Sequence, residues 1–320
     1  MKRIQMMFLL IALVSMIGMP AAAARPEKKI GVLFWNKAPR YTEAKNGMLD
    51  QLKKEGFEEP AVKFFIVNAD GNKAKAVEAV HDFTKAKMDM IITLGTSATL
   101  VVTRYVSDVP VVFSSVYDPV KSKIAQSWNS SGNNTTGTSN LVHMSLPLSS
   151  LKEFAAVKKV AVLYTPSEVN SVLQLKELLK LQAEFQVKII PVPLTTVEDV
   201  PQLLPEVVRG VDAIYLTGGS IVDKAGTTIV DTATRARVIT LTHIDDLLDK
   251  GVLLGVCADS YELGRLAGKK AAKVLRGADP SSIPIEHLKK LQVSINMRTA
   301  KAGGFRLPPA FMKSATKVME

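Results

Sequence analysis

Short polar segments follow apolar runs at four places in this 320-residue chain: Gly95-Thr96-Ser97-Ala98, Ser114-Ser115-Val116-Tyr117-Asp118, Thr165-Pro166-Ser167-Glu168-Val169-Asn170-Ser171 and Thr217-Gly218-Gly219-Ser220. Hydroxyl and amide side chains of this kind can hold a small polar molecule. Where such a segment also opens a helix, the free N–H groups and positive dipole end favour an anion. Thr96 and Ser97 would supply donors for a carboxylate, and Ser115 and Ser167 would add to them from facing loops. An aromatic body would find Trp35 and Tyr117 for stacking. An ammonium group needs an acid, for which Asp118, Glu168, Asp245 and Asp259 are available; Asp259 leads because it opens a helix directly after an apolar strand. Asn170, Gly218 and His243 complete the candidate contacts. Ser, Thr and Asn also belong at helix starts in any protein, so the weight lies in the set rather than in any one residue.

Covalent chemistry finds little support. The chain has no G-x-S-x-G elbow, no G-x-x-x-x-G-K-[ST] loop, no G-x-G-x-x-G and no H-E-x-x-H. Ser149 to Lys152 and Ser314 to Lys317 fit S-x-x-K, a pattern this short chains carry by chance, and no K-T-G accompanies it. His81, His143, His243 and His287 are dispersed without metal-ligand spacing, so no metal or cofactor is expected. Cys257, the only cysteine, falls in the apolar run Val252 to Cys257, where a buried inert thiol is expected and no internal disulfide is available.

The elements that must position these residues alternate regularly. Ile30 to Phe34 reads as a strand. A helical stretch follows with Ala44, Met48, Leu49 and Leu52 on one face, then a strand around Val62 to Val67, a helix begun by Asn72, and a strand Met90 to Leu94. Continuous apolar strands separated by amphipathic helices imply parallel strands covered on both faces. The pattern then repeats. Lys28 to Phe34 reappears as Lys158 to Tyr164, Asp89 to Ser97 as Asp212 to Ser220, and Val109 to Ser115 as Arg237 to His243, in the same order. Three matches in register imply two lobes of like architecture, with the polar segment Asn129 to Gly137 leading into the crossing between them. Both lobes then present their polar loops from the carboxyl edge of a parallel sheet, where ligands of such folds sit.

Lys2 and Arg3 precede an uncharged apolar run from Ile4 to Met19, followed by Pro20 and four alanines. This is the layout of a signal peptide cleaved after Ala24, with a core too short for a convincing membrane span and no cysteine for a lipid anchor. With 47% hydrophobic and 22% charged residues the rest has a sizeable core. The formal charge of +11 falls to +9 without Lys2 and Arg3. The lysines are scattered without interleaved aromatics, which with the export signal speaks against nucleic acid.

Ile30-Gly31-Val32-Leu33, Asp118-Pro119-Val120, Asn134 to Thr138, Val162-Leu163-Tyr164 with Pro166-Ser167-Glu168 and Asn170-Ser171, Val211 to Tyr215, and Tyr261-Glu262-Leu263-Gly264-Arg265 together resemble the ABC-transporter substrate-binding proteins of the tryptophan/tyrosine-binding type. The resemblance runs from about Lys28 to about Ala302. It implies a periplasmic-binding-protein class I fold and delivery to an ABC permease in the inner membrane. Two departures bear on the ligand: Gly218 and Gly219 stand where many relatives carry an acid, and Phe34-Trp35-Asn36-Lys37 is individual to this chain.

The expected protein is therefore α/β, with two doubly wound parallel-sheet lobes joined by a hinge. Lobe 1 spans 28–137 plus 258–283, lobe 2 spans 138–257 plus 284–320, and the signal peptide 1–24. The expected function is that of a monomeric periplasmic component of an ABC importer, closing on a small carboxylate-bearing ligand, an aromatic amino acid or analogue, without catalysis. The rival readings are a sensory binding protein for a receptor kinase and a small-substrate hydrolase.

Overall fold

The computed structural model describes residues 27–320, so the signal segment expected at 1–24 lies outside the described residues. The first half runs β1 (Lys28–Phe34), α1 (Pro39–Lys54), β2 (Val62–Asn68), α2 (Lys73–Lys85), β3 (Met90–Leu94), α3 (Thr96–Tyr105), β4 (Val111–Val116) and β5 (Thr135–Ser139). The second runs α4 (Ser145–Phe154), β6 (Lys159–Tyr164), α5 (Val169–Lys180), α6 (Gln182–Phe185), β7 (Lys188–Pro193), α7 (Asp199–Gly210), β8 (Ala213–Leu216), α8 (Ser220–Arg235), β9 (Ile239–Thr242) and β10 (Leu254–Cys257). The chain closes with α9 (Ser260–Leu275), β11 (Glu286–His287), β12 (Gln292–Asn296), α10 (Met297–Gly303), α11 (Pro309–Ser314) and β13 (Lys317–Met319).

Two sheets result. The first has the order β11-β5-β4-β3-β1-β2 with every pair parallel; the second has β13-β12-β10-β9-β8-β6-β7, antiparallel only between β10 and β12. Each contains the same doubly wound core, β2-β1-β3-β4-β5 in one and β7-β6-β8-β9-β10 in the other. The repeated sequence segments therefore occupy equivalent strands. The segment at Lys28 and its copy at Lys158 form the strands β1 and β6, each next to an edge strand, where the strand order reverses.

The core strands are continuous apolar runs because helices cover both faces. Val160, Ala161, Val162 and Leu163 of β6 are all fully buried, with alternate residues entering the two hydrophobic clusters on opposite sides of the sheet. After β10 the chain returns to the first sheet, where α9 packs along α1. That contact is backbone-close. A Cβ at Gly264 would fall 1.9 Å from the Ala44 carbonyl oxygen, and one at Gly47 would fall 2.1 Å from that of Tyr261. The Tyr261-to-Arg265 motif thus carries a packing requirement of the first lobe.

Candidate functional site

In a doubly wound sheet, adjacent connections on either side of the reversal point leave to opposite faces and open a crevice at the carboxyl ends of the strands. Both sheets aim that crevice at each other here. The first contributes the loops after β1, β3 and β4; the second contributes those after β6, β8 and β9. Four helices start at this junction, α1 after Ala38, α3 after Gly95, α5 after Glu168 and α8 after Gly219, and none of these four N-cap residues makes a side-chain capping bond. By contrast, the side chains of Asn72, Asp259 and Asn296 cap α2, α9 and α10. Thr96, Ser97 and Ser220 are thus not N-caps, and the first N–H groups of α1 and α8 are met instead by Asp246 and Glu168.

The lobes touch directly. Trp35 Nε1 donates to Ser220 Oγ at 3.0 Å, and Asn36 Nδ2 donates to the same oxygen at 3.1 Å and to Asp223 Oδ2 at 3.1 Å. This bridge stands between two cavities. One of about 620 Å3 is walled by Trp35, Gly71, Ser97, Val101, Ser167 and Val169, with the exposed cations Lys73, Arg104 and Lys123 around it. The other, about 310 Å3, is lined by Asn36, Pro39, Asp70, Ser220, Asp223, Asp246 and Lys250. The first is of the size that takes a small organic ligand.

Ser115 lies at an irregularity of β4, where the register against β5 shifts between Phe113 and Val116. Its φ is +58°, unusual for a non-glycine residue, and its buried hydroxyl has no hydrogen-bond partner among the described residues. His243, at the carboxyl end of β9, leaves Nε2 in the same condition while Nδ1 shares a 2.6 Å hydrogen bond with the Tyr215 hydroxyl. Two polar atoms from opposite lobes are therefore buried without partners, a cost that sites for polar ligands carry.

Acids dominate the junction. Glu168 is buried and accepts a 3.0 Å bond from the Ser220 N–H, the first of α8; burial pushes its carboxyl up, partly offset by Ser220. Burial, and next the adjacent Asp246, raise Asp245 to about 6, against which the Ser260 N–H works. Burial pulls His243 down to about 3, with Arg40 adding to the effect, so the imidazole is neutral. Burial also lifts the Tyr41 hydroxyl to about 12. A Cβ on Gly95, whose φ is +99°, would meet that hydroxyl at 2.6 Å, so glycine is required there twice over.

A family model described as ABC transporter substrate binding protein matches residues 29–319. The chain belongs to this family. The tyrosine-binding protein of Clostridioides difficile is 24% identical over 281 residues, covering 87% of this chain and 81% of that one. A conserved domain protein from Vibrio cholerae is 26% identical with a TM-score of 0.86, covering 91% of this chain and 99% of that one. An ABC domain from Streptococcus pneumoniae in complex with L-Trp is 23% identical with a TM-score of 0.87, over 92% and 100% of the two chains. The ligand-free, open structure of a Clostridium difficile substrate-binding protein, 25% identical over 91% of this chain and 99% of that one, gives 0.71.

Of the residues singled out from sequence, Trp35, Thr96, Ser97, Ser115, Ser167, Glu168, Asn170, Gly218 and His243 lie at the facing sheet edges. Within that group Thr96 Oγ1 accepts from the Tyr117 N–H at 3.0 Å, and Asn170 Nδ2 donates to the Gly218 carbonyl. Tyr117 has crossed into the core of the second lobe, where its hydroxyl donates to Glu177 at 2.9 Å and its ring meets His243 edge-on. Asp118 binds Lys121 and lines a separate cavity beside Trp128 and Leu141. Asp259 caps α9 and accepts from Gln292, away from both cavities at the bridge. Sequence reasoning passed over Arg40, Asp223 and Asp246, and met Asn36 only as part of the first loop. Asp223 stands in the first turn of α8, where an acid reads as an ordinary complement to the helix dipole.

Proposed function

We propose that this substrate-binding protein is exported and holds a small zwitterion, an amino acid with an aromatic side chain, between its lobes for an ABC importer of the inner membrane, acting as a monomer without catalysis. The observation that carries the reading is the junction itself. Trp35 walls a cavity of about 620 Å3, Ser97 brings the uncapped start of α3 to it, and the acid Glu168, between the lining residues Ser167 and Val169 in the chain, is buried with its carboxylate on the Ser220 N–H. A carboxylate finds N–H donors at α3, a ring finds the indole, and an ammonium finds Glu168 in the role expected of Asp259. The tyrosine and L-Trp in the names of its relatives belong to the same chemical class.

Thermal unfolding of ligand-stripped protein tests this. Ligand at 100 times its dissociation constant adds about 2.7 kcal/mol of stability. Tryptophan, tyrosine or phenylalanine should raise the melting temperature; if all three leave it unmoved while a purely apolar or cationic compound raises it, the zwitterion reading falls. Mass spectrometry of the exported form checks the rest, since retention of Met6 to Leu13 would refute release by cleavage after Ala24.

A further inference from the structure

Arg40, on the first turn of α1, carries its guanidinium across the cleft into a two-acid grip on the second lobe. Nη1 and Nη2 pair with Asp223 Oδ1 and Oδ2 at 2.8 and 2.6 Å, a planar fork on a carboxylate. Nη1 also reaches both oxygens of Asp246 at 3.1 and 3.2 Å, and the backbone N–H of Arg40 donates to Asp246 Oδ2 at 3.3 Å. All three side chains are less than a tenth exposed. They come from elements that share no sheet: α1 of the first lobe, and α8 and the turn Asp245–Leu247 of the second.

We propose that Arg40 is the positioning residue of lobe closure, and that its grip on Asp223 and Asp246 holds the closed arrangement in the absence of ligand. The physical reason is an asymmetry. In the closed arrangement the triad is buried and bidentate, with Asn36 donating to Asp223 as well, and separation of the lobes breaks every one of these charge-assisted hydrogen bonds. Neither lobe needs the triad for its own core, since the hydrophobic clusters of the two lobes are built from other residues. Removing the cation would leave two carboxylates facing each other in a buried site, a penalty confined to the closed form. The proposal does not depend on which ligand the cleft takes.

The test uses ligand-stripped protein spin-labelled at Glu78→Cys on α2 and Glu184→Cys on α6, exposed positions on the first and second lobes outside both cavities, with Cys257 buried. Distance distributions by pulsed electron resonance should show a short, closed population. Arg40→Gln should lower the ratio of closed to open by at least about tenfold, from the cost of leaving a buried carboxylate unpaired. Far-UV melting should remain cooperative. Arg40→Lys, which keeps the charge but loses the fork, should fall between. If Arg40→Gln fails to fold, the Asp223→Asn/Asp246→Asn variant reads the same latch from the other lobe. A distribution unchanged by these substitutions, or a ligand-free protein that is wholly open before them, overturns the proposal.

Discussion

The indole N–H of Trp35 and the hydroxyl of Ser220, 185 residues apart in the chain, meet at 3.0 Å. The hydrogen bond ties the loop after β1 of the first lobe to the first residue of α8 in the second. Trp35 is thereby a direct reporter of closure, while Trp128, the other tryptophan, lies beside His287 away from the cleft. A ligand that changes intrinsic fluorescence should do so through Trp35. The change should vanish in Trp35→Phe and survive in Trp128→Phe, and affinity for an aromatic ligand should fall roughly 2- to 12-fold in Trp35→Ala, the equivalent of a stacking contribution of about 0.5–1.5 kcal/mol. Persistence of the signal in Trp35→Phe would place the ligand elsewhere.

Glu168 is the buried acid assigned to the ligand's ammonium. Glu168→Gln keeps the shape and the acceptor for the Ser220 N–H but removes the charge. Calorimetry should show at least about a tenfold loss of amino-acid affinity, since hydrogen bonds to charged groups contribute about 1.5–3 kcal/mol. Equal affinity in wild type and variant would remove Glu168 from the site.

His243 makes stability depend on pH with a definite sign. Its native pKa of about 3 lies below the ordinary 6.5, so between these values the unfolded chain binds a proton that the native chain refuses. Stability should therefore be complete above about pH 6.5 and decline as the pH falls, by about 2 kcal/mol from this group at pH 5. Asp245, raised to about 6, works in the opposite direction as its carboxyl takes up a proton, so the comparison must be between wild type and His243→Gln. The difference in their denaturant-unfolding free energies should widen below pH 6.5; parallel pH curves would contradict a neutral buried imidazole.

The α1–α9 contact should not admit a methyl group. Gly264→Ala places a Cβ into the Ala44 backbone, which cannot rotate away as a side chain could, and should cost about 1–3 kcal/mol or more through forced separation of the helices. Gly277→Ala, at a glycine with open space around its Cβ position, is a control for crowding; its φ of +98° carries conformational strain but no clash. A thermal melt unchanged by Gly264→Ala would mean the two helices can part freely.

The sequence determined the fold class, because fully buried parallel strands must be written as unbroken apolar runs and their covering helices as amphipathic ones. It also determined the duplication, since β1 and β6 occupy the same place in equal strand orders and need equal patterns. The polar loops at the sheet edges were legible for the same reason: a parallel sheet ends its strands on one side. What the sequence left open was which polar residue answers which. Asp118, Asp259 and Glu168 look alike as acids beside loops, yet one binds a neighbouring lysine, one caps a helix and one is buried at the cleft. Arg40, Asp223 and Asp246 carry no local mark at all, because an arginine and two aspartates near helix starts are ordinary surface residues until a second lobe is laid against them. Their burial is a property of the closed pair of lobes, and only the tertiary arrangement could decide it.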